Sequence, residues 1–277
     1  MIETAETMPV RYSRSEVCRL MKIARTTMYY RLKHPKQLPY TEEEAKKVKD
    51  MFFEHNESFG RRTLKRELEK INVILSERKI SRIMKDYDLK SKYGRKKGKN
   101  VHTHKKTSEK YIAENKYWMS AENERPKNAW SMDFTEQKAA GKTVYTCAII
   151  SVNKKNLTGR ITGEPNSAET ACKTLDKAIK KFGVPDMILT DRGSPFTSKS
   201  FHEMIEEYHI EHSMSRPHTP RDNRYIETFW RTMKTEIGPT NNMTDAEYKM
   251  VMDYYEYYYN YLRPHSVLGY RPPLSAD

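Results

Sequence analysis

Trp130-Ser131-Met132-Asp133-Phe134-Thr135 decides how this chain is read, because here a basic, helix-patterned front half gives way to strands. The six residues alternate with the period of two expected of a half-buried strand. After a turn at Ala140-Gly141-Lys142, the run Thr143 to Val152 predicts a second, more buried strand, and Asn156 to Thr162 a third, which makes an antiparallel meander. The pattern then switches. Ala168 to Phe182 puts Ala171, Leu175 and Ile179 on one helical face and is closed by Gly183 and Pro185. Met187 to Asp191 predicts a short buried strand, Phe201 to Tyr208 a helix, and Ile210 to Met214 another strand. The order β-β-β-α-β-α-β-α describes an α/β domain with a mixed five-stranded sheet and flanking helices.

The last helix of that order opens at Asp222-Asn223-Arg224-Tyr225-Ile226-Glu227. Ile226, Phe229, Met233 and Ile237 share one stripe at spacings of three and four, so they predict the face packed on the core. Glu227, Arg231 and Lys234 lie roughly a third of a turn away, with Asn223 one turn before Glu227. In isolation Glu227 and Arg231 are an ordinary i,i+4 pair on a solvated face.

Two aspartates far upstream change that. Asp133 sits in the first strand and Asp191 at the C-terminal end of the fourth, where open α/β sheets place their sites; the sharp turn Arg192-Gly193-Ser194-Pro195 comes next. Three carboxylates converging there repel one another unless cations are bound, the arrangement that suits two divalent metals about 3.5–4 Å apart. Mg²⁺ fits such hard oxygen ligands and keeps waters that leave room for substrate phosphate; Mn²⁺ is the alternative.

The front half points to a polyanion. The chain carries a net charge of +14, and residues 1–125 hold 31 Lys/Arg against 18 Asp/Glu, whereas 126–277 hold 20 against 19. Thr41-Glu42-Glu43-Glu44 has capping-box form and opens a helix with Val48, Met51 and Phe52 inward. After a turn at Ser58-Phe59-Gly60, a basic helix runs from Arg61 to Lys70 on Leu64 and Leu68, and Ser76 caps a third helix carrying Ile80, Ile83 and Met84. Three short helices with basic outer faces suit a helix-turn-helix module, with Arg61, Arg62 and Lys65 as candidate DNA contacts; a small bundle with a solvated face has the same pattern. A shorter pair of helices is predicted from Ser13-Arg14-Ser15-Glu16 and from Thr26 to about Leu32. From Leu89 to Lys106 there are eight Lys/Arg and no acid, an extended linker able to follow a phosphate backbone, with Arg95, Lys96 and Lys97 as its candidate contacts. The three cysteines are scattered and lack metal-ligand spacing, and no apolar run is long enough to span a membrane, so a soluble intracellular, cytoplasmic protein without disulfides is expected.

Taken together, Trp130 to Thr135, Leu189-Thr190-Asp191-Arg192-Gly193-Ser194, Asp222-Asn223 with Glu227 and Lys234, and the tail Tyr259-Asn260-Tyr261-Leu262-Arg263-Pro264-His265 resemble the second-frame (OrfB) products of IS3-family insertion-sequence transposases. The 35 residues between Asp191 and Glu227 match the DD35E spacing of the retroviral-integrase and transposase superfamily. The resemblance extends through Phe59-Gly60-Arg61-Arg62-Thr63-Leu64 to Met84, and so covers nearly the whole chain. It implies a ribonuclease-H-like core in which Asp133, Asp191 and Glu227 are metal ligands for Mg²⁺-dependent DNA cleavage and strand transfer. It also implies that Lys234 contacts a DNA end, with Arg231 and Asn223 as weaker candidates for phosphate contact and for orienting a carboxylate. The implied partners are double-stranded DNA, as transposon ends and target, further copies of the chain on that DNA, and an upstream-frame (OrfA) product. The organisation expected is a helical segment at 1–38, a helix-turn-helix domain at 39–90, a basic linker at 91–126, the catalytic core at 127–240 and a C-terminal helix and tail at 241–277. There, Tyr254, Tyr257, Tyr261 and His265 read as packing residues. A DNA-binding regulator with an inert core, and a nuclease of the same fold, are the alternatives. One departure stands out: the family's Ser-Arg-x-Gly loop is replaced here by Ser215-Arg216-Pro217-His218.

Overall fold

The computed structural model describes residues 15, 18–19, 22, 24–33, 39–94, 111–217 and 219–275. Most of the expected helix near Ser13, the linker contacts Arg95, Lys96 and Lys97, and His218 lie outside them.

In the front half, α1 (Arg25–Lys33) precedes three helices that share one core: α2 (Glu42–Glu54), α3 (Arg61–Lys70) and α4 (Glu77–Asp86). Local chemistry sets their starts. Thr41 and Glu44 complete a capping box on α2, and Ser76 Oγ accepts from Lys79 N on α4. Val48, Phe52, Leu64, Leu68, Ile80 and Ile83 are almost fully buried between the helices, as their spacing predicts.

The rest of the chain is built on one sheet of order β3-β2-β1-β4-β5. β1 (Ala129–Ala139), β2 (Lys142–Ser151) and β3 (Leu157–Thr162) form the meander, and β4 (Met187–Thr190) and β5 (Glu211–Met214) add to the other side of β1 in parallel. The β1–β2 turn is only Ala140-Gly141, both at positive φ (47° and 76°), which continues the strand twist, so Lys142 already pairs with Ala139. α5 (Lys116–Met119) precedes the sheet; α6 (Ala168–Phe182) and α7 (Lys199–Glu207) cover one face. α8 (Arg224–Ile237) and α9 (Asp245–Tyr257) cover the other, on Ala148, Ile150 and Leu157. Ile226, Phe229 and Met233 are buried as predicted, and Ile237 partly so.

One expectation fails in α9. Tyr254, Tyr257 and Tyr261 are exposed; the packing tyrosines are Tyr248, Tyr255 and Tyr259, which with Met252 recur at spacings of three and four and so share the core face.

Candidate active site

The site begins with strand register. β1 and β4 are parallel neighbours paired as Ala129–Met187, Trp130–Ile188 and Ser131–Leu189. Continued by two residues, this register leads to Asp133 on β1 and to Asp191, one residue past the end of β4, and the charge of Asp191 reaches Asp133. Both belong to the face covered by α8. On β1 that face includes Ser131, and on β4 it includes Met187 and Leu189, against which Tyr225 packs.

The turn at Gly193 holds the Asp191 carboxylate. Gly193 N donates to Asp191 Oδ1 at 2.8 Å, and a Cβ at position 193 would lie 2.9 Å from that oxygen, so this turn requires the smallest residue. The neighbouring loop is laced to the same strand end. Ser215 N and Oγ donate to the Thr190 carbonyl, and Arg192 Nε donates to the Ser215 carbonyl at 3.0 Å.

Helix α8 is fixed over β1 at two points that flank Glu227. Ser131 Oγ donates to Asn223 Oδ1 at 2.9 Å, one turn before Glu227; Trp230 Nε1 donates to Asp133 Oδ2 at 3.1 Å, one turn after it. Residues 223, 227 and 230 recur on one helix face, so Glu227 is carried between these two anchors. Burial pushes the Asp133 carboxyl well above its usual range, and the charges of Asp191 and Glu227 push it the same way; the backbone and the Trp230 indole only partly offset this.

The expected three-carboxylate cluster is not closed: among the described residues no group of three His, Cys, Asp or Glu is gathered as a metal site. Glu227 is exposed, and three like charges stay apart unless a cation draws them together. The donors still fit divalent cations. They are hard carboxylate oxygens, two of them brought near by the β1–β4 pairing, and their mutual repulsion is what a cation relieves.

Two functional neighbours escaped the sequence reading. Trp230 was legible only as one more aromatic next to the apolar stripe, since nothing local predicts a partner 97 residues away. Asp222 is the other. It is 4% exposed, its carboxylate accepts from Arg216 Nε and Nη2, both at 2.9 Å, and it accepts from Asn115 Nδ2 at 2.6 Å. The Arg216 pair holds the Asp222 carboxyl below its usual range. This fork ties Arg216 to Asp222, just before the start of α8.

Of the remaining candidates, Arg231 is exposed and Lys234 partly so. Asn223 is 5% exposed and accepts from Ser131 Oγ. Arg61 and Arg62 are exposed on α3 near Glu77, at 3.5 and 3.8 Å, and Lys65 lies 3.5 Å from Glu69. His265 is buried edge-on to Tyr259, its Nε2 without a hydrogen-bond partner; burial pushes its pKa down to about 3, so it is neutral and unsatisfied on that side. No described helix is long and apolar enough to cross a membrane.

Comparison with family models gives the following matches. Two models of the integrase core domain match residues 123–220 and 208–273, together more than half of the chain, and a model of an HTH-like domain matches 39–97. A transposase for the insertion sequence element IS904 of Lactococcus lactis is 26% identical over 83% of this chain and 91% of its own length. The transposase InsF for insertion sequence IS3A of Escherichia coli is 25% identical over 52% of this chain and 51% of its own. Among solved structures, an HTLV-2 integrase catalytic core in complex with magnesium covers 53% of this chain and 93% of its own, at 20% identity and a TM-score of 0.40.

Proposed function

Since the chain belongs to the integrase-core transposases of insertion sequences and fits the OrfB products of the IS3 family, we propose that Asp133, Asp191 and Glu227 are the carboxylates at which it cuts and joins DNA strands. The observation that carries this is the anchoring of α8 on both sides of Glu227, with the charges of Asp191 and Glu227 both acting on the Asp133 carboxyl.

The reaction is phosphoryl transfer between a phosphodiester and a water or a freed DNA 3′-OH. Divalent cations, Mg²⁺ or Mn²⁺, when bound by these carboxylates supply Lewis-acid activation of the nucleophile and charge stabilisation at the leaving 3′ oxygen. The protein supplies position. Gly193 N and the Trp230 indole each hold one oxygen of an aspartate and leave the others for ligation. Glu227, exposed between the two anchors of α8, completes the set as the charges are neutralised. Arg231 and Lys234 lie one and two turns further along this helix, where they would meet the phosphates of a DNA end. In the same reading the front module binds the terminal repeats through Arg61, Arg62 and Lys65, and a second copy joins it on the paired ends.

Joining of DNA 3′ ends by the purified full chain with Mg²⁺ tests the site. Asp191→Asn is expected to bind DNA like the parent and to join no ends; joining at the parent's rate would refute the assignment. A rise in melting temperature of the parent with Mg²⁺, absent from Asp133→Asn and Asp191→Asn, is the companion readout.

A further inference from the structure

Beside the carboxylate site, at the start of α8, three cations are gathered on aromatic rings. The Arg224 guanidinium lies 4.2 Å from the Trp118 ring centroid and 5.2 Å from that of Tyr225. Arg125 lies 4.9 Å from Trp118 and 5.2 Å from Tyr117. Lys155 Nζ, from the β2–β3 turn, sits 4.7 Å over Tyr225. Trp118 and Tyr225 stack at 5.7 Å with planes 12° apart, and Trp118 Nε1 is fixed by the Asp222 carbonyl at 2.7 Å, so the column is rigid.

What this column lacks is a counter-charge. Among the described residues, none of Arg125, Lys155 and Arg224 forms an ion pair with a carboxylate, although Asp222 is one residue from the column and is taken by Arg216. A carboxylate would fix a cation and also cancel it. A ring face attracts the cation through its quadrupole and leaves the charge available to an anion. Three like charges brought together in this way are unfavourable until an anion arrives.

We infer that Arg125, Lys155 and Arg224, held on the Trp118–Tyr225 column, form a binding site for the phosphodiester backbone of a DNA strand passing the active site. The rings already carry the three cations and stack on each other, so what the column offers a ligand is positive charge, which fits phosphate. The inference rests on the proposed use of DNA at the neighbouring carboxylates, but it concerns binding and reads out without chemistry. Arg224 is three residues before Glu227, so the site would hold the strand within one helical turn of a catalytic carboxylate.

The test is the salt dependence of binding of a random-sequence duplex to the full chain, by fluorescence anisotropy. Arg224→Gln, Lys155→Gln and Arg125→Gln are each expected to weaken binding several-fold, equally across sequences, and to lower the slope of log affinity against log salt by about one. Arg224→Lys is expected to keep most of the slope. Melting temperature reports folding. If Lys155→Gln lowers it, Arg224→Gln, whose side chain is exposed, carries the test. Unchanged slopes in folded variants would overturn the inference, as would failure of the parent to bind DNA. A shift in melting with inorganic phosphate that Arg224→Gln removes, with no change in the DNA slope, would mark a small-anion site and overturn it too. Asp191→Asn separates the two readings: it is expected to lose end joining and keep the parent's slope.

Discussion

The Trp230 indole donates to Asp133 from the opposite side of the core's main interface, and this one bond ties the helix of Glu227 to the strand of its partner acid. Trp230→Phe keeps an aromatic ring in the core but removes the donor together with part of the indole. A hydrogen bond to a charged group contributes about 1.5–3 kcal/mol, so end joining is expected to fall about ten- to a hundredfold with DNA affinity unchanged. Single-turnover joining at saturating DNA is the measurement, and parent-like rates would show that the indole only packs.

The Asp133 carboxyl is held above its usual range by burial, Asp191 and Glu227, so its ionised form opposes folding. Asp133→Asn removes that charge and keeps the shape. We expect a chain that is inactive in end joining and melts at a higher temperature than the parent without added metal. Added Mg²⁺ is expected to narrow or reverse the gap by stabilising the parent alone.

Much of this was legible in the sequence because it is local or periodic. The Thr41–Glu44 box, the Arg61–Lys70 helix, the Ala168–Phe182 helix and the apolar stripe of α8 come from capping and spacing, which neighbouring residues decide. The two aspartates were legible as strand and strand-end residues. The pairing that brings them near each other was not, since it joins strands more than fifty residues apart. The Asn223–Ser131, Trp230–Asp133 and Asp222–Arg216 contacts were likewise hidden: each depends on a side chain finding one atom across the fold. The α9 tyrosines failed for a different reason, because a helix so rich in tyrosine offers two aromatic stripes and only the sheet chooses between them.

Glu236, in the last turn of α8, is a second place where the halves of the chain meet. It is 8% exposed; Tyr93 Oη donates to its Oε1 at 2.6 Å, Tyr255 Oη to its Oε2 at 2.8 Å, and Arg263 Nε donates to both oxygens. Tyr93 comes just after the front helical module, so the contact joins that module to the helix of Glu227. Glu236→Ala leaves Arg263 buried without its carboxylate and is expected to cost about 3–5 kcal/mol. Tyr93→Phe removes one donor of several and should cost about 1 kcal/mol. Chemical denaturation checks both, and a cost under about 1 kcal/mol for Glu236→Ala would mean that water reaches the arginine.

His212 gives the fold a pH dependence with a definite sign. Burial, with a smaller contribution from the nearby His202, pushes its pKa down to about 4 from 6.5, while its Nε2 meets Thr190 Oγ1 at 2.9 Å, on the last residue of the strand before Asp191. Between these values the unfolded chain binds the proton and the folded chain does not, so stability is fully present above pH 6.5 and falls as the pH drops toward 4. One such group changes stability by about 1.4 kcal/mol per pH unit, or about 3 kcal/mol across the window. His212→Gln is expected to flatten the melting curve against pH between 6.5 and about 4 by this amount, at some cost in stability at neutral pH. An acid-side slope equal to the parent's would place the sensitivity elsewhere, with His265, whose pKa is pushed down to about 3, as the next group to replace.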